Sequence, residues 1–412
     1  MWQAFAHMLS ANPSQGWDIA RQVGLASATA GEPEANPDPA SRSRWEDLAP
    51  IAAQRVAEVT GIDVTSANVD VLNRSAWVVR ALDAYRPILE KIDLTAAAAS
   101  DSTDPGAGAG IGGEDFDGLD AFAKAMEPLM KLLGPTLMAA QAGAVVGQLA
   151  RAALGGYDVA APWGEGAGVT VIEANVASFI DDWSLEANDA RMWVLIEQFV
   201  SHAVLSRPHI QQELLELLQQ RAATLRLDGA GLESQFGGID MSDPGSISLS
   251  ALEPSALLVR GSQPDSYPEK RLDSLLVALV GYIDYVRAGV AHRVLGAKAG
   301  ALGEASRRRV VAATAADRLA ALLLGVDNDR ELHDRGARWV AGVVERGGLE
   351  SLNRLWNSPR ELPTPAEIEA PGLWLARIDL PDDTANSGVD PATESPADLD
   401  NPPSDSDDIA GS

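Results

Sequence analysis

The chain reads as a mainly α, multihelical protein with a small β component. Two observations predict this. Apolar residues recur at three- and four-residue intervals between glycine and proline breaks, as in Met192, Leu195, Ile196, Phe199, Ala203 and Val204. By contrast Val169-Thr170-Val171-Ile172 is short, β-branched and bounded by turn formers, the pattern of a strand.

In chain order, helices are expected over Ile19–Leu25 and Trp45–Thr60, the latter starting properly at Pro50 and stopping at Gly61, because glycine takes a left-handed cap without strain. A third runs from Ser75 to Ile92. Residues 99–118 are rich in Gly, Asp, Ser, Thr and Pro and read as a surface loop. Helices follow over Leu119–Leu133 and Pro135–Leu154, then the strand, a brief helical turn at Asn175–Phe179, and a long helix over Asn188–Leu205 that Pro208 closes. Gln211–Leu225, Leu272–Leu295, Arg307–Leu324 and Leu332–Val344 complete the set, with a Gly- and Ser-rich connection over 228–250. This divides the chain into an N-terminal helical region (1–160), a core with C-terminal helices (161–379) and an acidic tail (380–412). The tail has nine Asp or Glu and no Lys or Arg, so it lacks the apolar surface to offset the entropy of ordering and is expected to be disordered.

Composition excludes several classes. With 32 basic against 59 acidic residues and a net charge of -27, the chain is a poor match for nucleic acid or anionic lipid. It has no cysteine, which removes disulfides, thiolate nucleophiles and cysteine zinc sites and makes the cytoplasm the default compartment. The most span-like run, Met130–Leu154, is broken by Lys131, Gln141, Gln148 and Arg151, and reads as a buried helix rather than a membrane insertion. Its small residues, among them Ala139, Gly143 and Gly147, would admit a neighbouring helix closely.

The segment Glu197-Gln198-Phe199-Val200-Ser201-His202 sits where a helical zinc motif would sit. Such a motif needs imidazoles four residues apart on one face, with a Glu beside the first to take a proton from metal-bound water. Here the interval holds Glu197 and Ser201, and the frame one residue on pairs Gln198 with His202. Other arrangements are weaker: His202 and His209 are separated by Pro208, and His292 and His333 read as surface or helix-end residues. Asp181-Asp182 reads as a helix-start or solvent pair, and 106–113 lacks the lysine of a phosphate loop. No nucleophile elbow is present.

Several stretches together carry a family resemblance: Trp17-Asp18-Ile19-Ala20, Leu154-Gly155-Gly156-Tyr157-Asp158-Val159, Glu173-Ala174-Asn175-Val176-Ala177-Ser178-Phe179, Ser206-Arg207-Pro208-His209, Arg354-Leu355-Trp356 and Leu362-Pro363-Thr364. Over about residues 15–376 the chain resembles an actinobacterial and chloroflexal family of candidate hydrolases with a zincin-like fold, whose relatives include proteins associated with coenzyme F420 biosynthesis. The resemblance implies zincin-like connectivity and a central His-Glu-x-x-His helix followed by another His. Glu197, Gln198 and Ser201 then stand at the first ligand, general base and second ligand, and His202 matches the additional histidine. A later Glu-Gly segment, followed by an aromatic or His and then Asp, is matched by Val280, Gly281, Tyr282, Ile283 and Asp284, so the candidate third ligand is replaced by Val280. Glutamine cannot act as the base, and valine offers no ligand atom.

The expected function is therefore that of a non-catalytic metallopeptidase homologue, without cofactor, that binds or scaffolds a protein or peptide-like partner. The alternative is a metal-dependent hydrolase with zinc on a rearranged set, Glu197, His202 and Asp284. Either way, the helices carrying 197–202 and 280–284 are expected to face each other across a remnant pocket. There Tyr282 and Asp284 would hydrogen-bond with Gln198, Ser201 or His202.

Overall fold

A computed structural model describes residues 13–92, 136, 138–158, 162–164, 166–227, 258–260, 266–311 and 330–380. The expected loop at 99–118, the helix at 119–133, the connection at 228–250, the helix beyond 311 and the acidic tail beyond 380 lie outside the described residues.

The chain opens with α1 (Pro13–Thr29) and α2 (Pro39–Thr60). Asp38 caps α2 by accepting from the Ser41 N–H at 2.9 Å, so the helix begins eleven residues before Pro50, which lies on its exposed interior. Gly61 ends it at φ 73°, the left-handed cap the sequence predicts. Strand β1 (Val69–Leu72) leads into α3 (Arg74–Leu89), whose first N–H groups are taken by Asn73 and by the Glu34 carboxylate at 3.0 Å.

Helix α4 (138–152) crosses α1 where side chains are absent: a Cβ at Gly143 would lie 2.1 Å from the Ala20 carbonyl oxygen, and one at Gly147 2.4 Å from that of Gly24. These are the small residues from which close approach was expected. Strand β2 (Val169–Ile172) then pairs in parallel with β1, Val69 opposite Val169 through Leu72 opposite Ile172. The sequence reading placed β2 and missed β1, whose Val-Asp-Val-Leu is too short to separate from helical punctuation.

Next come α5 (Glu173–Asp182), longer than the expected turn, α6 (Ala187–Leu205) and α7 (Pro208–Ala222). Pro208 is the first residue of α7, where its missing N–H costs nothing. The run to Leu225 ends early, because Leu225–Leu227 forms β3, antiparallel to β4 (Leu258–Arg260). The C-terminal part contains α8 (Tyr267–Leu295), α9 (Lys298–Val311), α10 (Arg330–Asn353), α11 (Pro365–Glu369) and α12 (Pro371–Ile378).

Helix α8 is the axis of the C-terminal half and packs on α2, α6, α7 and α10. It is long and apolar enough to cross a bilayer, yet 67% of its most apolar window is buried inside the fold. Gly281 lies at its crossing with α10: a Cβ there would meet the Gly336 carbonyl oxygen at 2.5 Å. One continuous cluster of buried side chains runs from Ala20 to Ile378 and includes Trp45, Trp77, Trp339, Trp356 and Trp374, each no more than 1% exposed.

Candidate functional site

Helix α6 carries the motif and is buried along most of its length. Gln198 is fully enclosed at 0% exposure. Its Oε1 accepts from the Tyr157 N–H at 2.9 Å and its Nε2 donates to Asp158 Oδ1 at 2.9 Å, so both ends of the amide are used. The Gly155-Gly156-Tyr157-Asp158 segment makes this possible by wrapping onto the helix. A Cβ at Gly155 would stand 2.3 Å from Gln198 Cδ, so a larger residue there would force the segment off. Asp158 holds its own loop by accepting from the Leu154 and Gly155 N–H groups at 2.8 and 3.1 Å, and it pairs with Arg309 at 3.1 Å. Asn175 anchors the end of α4 by donating to the carbonyls of Ala150 and Ala153, while Arg74 donates to its oxygen.

His202 lies one turn further along α6, and its Nδ1 is 2.8 Å from the Tyr157 hydroxyl. Burial pulls the His202 pKa below the ordinary histidine value and pushes that of the Tyr157 hydroxyl up. The ring is thus held neutral and shares one hydrogen bond with the Tyr157 hydroxyl through Nδ1. Because the folded-state pKa is depressed, the contribution of His202 to stability is complete above the ordinary histidine value of 6.5 and is lost as pH falls through the folded-state value. An NMR titration of the ring should give a midpoint below 6.5, and a midpoint above it would contradict this bonding.

Glu197 and Asp284 come together through a residue the sequence reading did not single out. Arg287, one turn after Asp284 on α8, donates to Glu197 Oε1 at 2.5 Å and to Asp284 Oδ1 at 2.6 Å. Its guanidinium also lies 5.4 Å from the Trp193 ring centre. The other Asp284 oxygen meets His333 Nδ1 at 2.5 Å, so His333 ties α10 to α8 instead of standing alone at a helix end. Burial pushes the Glu197 pKa up against the pull of Arg287, with Asp158 adding to the rise. Burial also works upward on Asp284, but the His333 hydrogen bond and the Arg287 charge outweigh it and hold that carboxyl below its ordinary value.

The expected contacts of Tyr282 and Asp284 with Gln198, Ser201 or His202 do not form. Tyr282 is turned to the opposite side of α8, where its hydroxyl donates to Asn353 Oδ1 at 2.9 Å and its ring packs edge-on against Trp356. Asp284 is occupied by Arg287 and His333. Ser201 and Val280 are buried at 2% and 8% exposure. His209 belongs to α7, not to the helix of His202, and Asp181 and Asp182 lie exposed at the end of α5.

The sequence profile of zincin-like metallopeptidases matches residues 16–375. The chain belongs to the zincin-like metallopeptidase family. It is also similar to a solved structure from Chloroflexus aurantiacus, described as a candidate hydrolase with a novel fold. That similarity has a TM-score of 0.58 and 18% identity over 89% of this chain and 99% of the other, and it bears on the fold alone. No curated protein matches the chain. In this zincin-like protein the donor set does not fit a zinc ion. Glu197 is bound to a guanidinium, position 198 is an amide and position 280 has no donor atom. Among the described residues no group of three or more His, Cys, Asp or Glu is placed to hold a metal.

Proposed function

We propose that this zincin-like protein is a non-catalytic homologue that binds or scaffolds a protein or peptide-like partner. The observation that carries the reading is the Arg287 guanidinium bridging Glu197 and Asp284, because an internal cation neutralises the two carboxylates a metal would need. Gln198 supports it further: its amide is consumed by Tyr157 and Asp158 and has no proton-accepting chemistry. The rearranged hydrolase on Glu197, His202 and Asp284 would require Arg287 to leave both carboxylates.

The test is elemental analysis of protein purified without added metal, together with a peptidase assay with and without zinc. Substoichiometric zinc and no metal-dependent hydrolysis are expected. One equivalent of zinc retained through dialysis, and lost on His202→Ala, would overturn the reading in favour of the rearranged enzyme.

A further inference from the structure

Helix α7 starts on a positive charge that the fold leaves unused. Arg207 stands immediately before Pro208 and is half-buried, yet among the described residues its guanidinium meets neither a hydrogen-bond acceptor nor a carboxylate. Its Nε is enclosed, while the two terminal nitrogens stay within reach of a ligand. Arg74, Arg271, Arg309, Arg335 and Arg377 are half-buried too, and each of them donates to an oxygen of the fold. A cation that has left part of its water without gaining an acceptor is explained by an anion from outside this set.

The surroundings of Arg207 add donors and no free carboxylate. His209, two residues on, has no hydrogen-bond partner for its Nε2. Burial, and after it the Arg207 charge, hold the His209 pKa below the ordinary histidine value against the pull of Glu213. Glu213 itself is taken, since Arg271 meets its Oε1 at 2.5 Å. No side chain caps the first turn of α7, so its N–H groups are presented at the positive end of a 15-residue helix. An oxyanion matches an arginine, a histidine and a helix start together.

The path of the chain supplies one. The charge of Arg207 is felt at the Tyr282 hydroxyl, which donates to Asn353 Oδ1. The next residue, Arg354, pairs with Asp379 at 2.7 Å, and Arg360 donates to the Leu380 carbonyl at 2.7 Å, so the described chain ends close to this cation. Residues 381–412 then carry nine Asp or Glu and no Lys or Arg, beginning with Asp382 and Asp383. About ten extended residues reach roughly 33 Å, which covers the distance with chain to spare. A tethered carboxylate is also present at an effective concentration that a dilute anion does not match.

We propose that Arg207, His209 and the open start of α7 form a carboxylate-binding site that the acidic tail of the same chain occupies. An anionic ligand or an acidic partner segment then has to displace the tail before it reaches Arg207. The site is separate from the metal question, because none of these residues belongs to the Glu197–Arg287 network.

The test compares the full chain with a full-length variant in which the nine tail carboxylates become amides. The His209 ring signal, identified by its loss in His209→Gln, is titrated by NMR at low salt. A docked carboxylate favours the protonated ring, so amidating the tail should lower the His209 midpoint by roughly half a unit. About 0.5 M NaCl should remove the difference. With Arg207→Gln the two tails should give the same midpoint, and Arg207→Lys should keep part of the difference. Inorganic phosphate at pH 7 should shift the His209 signal at a several-fold lower concentration in the amidated chain, where nothing competes for the site. A midpoint unmoved by amidating the tail, a difference of full size in Arg207→Gln, or equal phosphate concentrations in the two chains would each overturn the proposal.

Discussion

Replacing Arg287 with alanine is expected to destabilise the fold by about 3 kcal/mol, the low end of the cost of breaking a buried ion pair. The low end applies because the side chains of Arg287, Glu197 and Asp284 keep 17%, 21% and 29% of their exposure to solvent. The loss has a specific origin. Glu197 and Asp284 would face each other near a third carboxylate, Asp158, without the cation that neutralises them, and α6 would lose its tie to α8. Urea unfolding should show a lower midpoint with the same slope. Arg287→Lys should recover only part of the loss, since a single ammonium cannot reproduce the two-armed bridge. Adding Glu197→Gln to Arg287→Ala should recover a further part by removing one stranded charge. A loss under about 1 kcal/mol for Arg287→Ala, the scale of an exposed pair, would show that the bridge is not what holds these helices.

Gln198→Glu is expected not to create a catalytic base and to destabilise the protein by about 3–4 kcal/mol at pH 7. The native amide both accepts from the Tyr157 N–H and donates to Asp158, 2.9 Å away. An introduced carboxylate keeps the first bond and turns the second into like-charge repulsion in an enclosed place. Its pKa would rise by roughly two to three units from about 4.3, at about 1.4 kcal/mol per unit. The sign follows from linkage: a carboxyl whose folded-state pKa is raised keeps its proton longer in the native state. The deficit against the native protein is therefore small below pH 4 to 5 and grows as pH rises toward the folded-state value. Equal deficits at pH 5 and pH 7 would contradict this account. Zinc-dependent peptide hydrolysis by this single variant would show that a ligand shell survives in a form the geometry at Glu197, Ser201 and Val280 does not reveal.

The sequence by itself determined the helical class, the strand at Val169–Ile172, the Gly61 cap and the close approach allowed by Gly143 and Gly147. Each depends on local periodicity or on a residue whose backbone or volume is special in any context. It also determined that Gln198 cannot act as a base and that Val280 offers no ligand atom, wherever they are placed.

Only the tertiary structure decided what the side chains around these positions do. Arg287 is three residues after Asp284, a spacing common on any helix surface, and nothing local distinguishes it from a solvated pair. It becomes the bridge because α8 packs beside α6 and brings Glu197 within reach. Tyr157 and Asp158 lie some forty residues before Gln198 and reach it because Gly155 lets their loop press onto the helix. Tyr282 and Asp284 are two apart on α8, so they point to different sides, one toward Asn353 and the other toward Arg287 and His333. Side-chain direction around a packed helix, and which distant segment fills the space beside it, are set by the whole core rather than by the local run of residues.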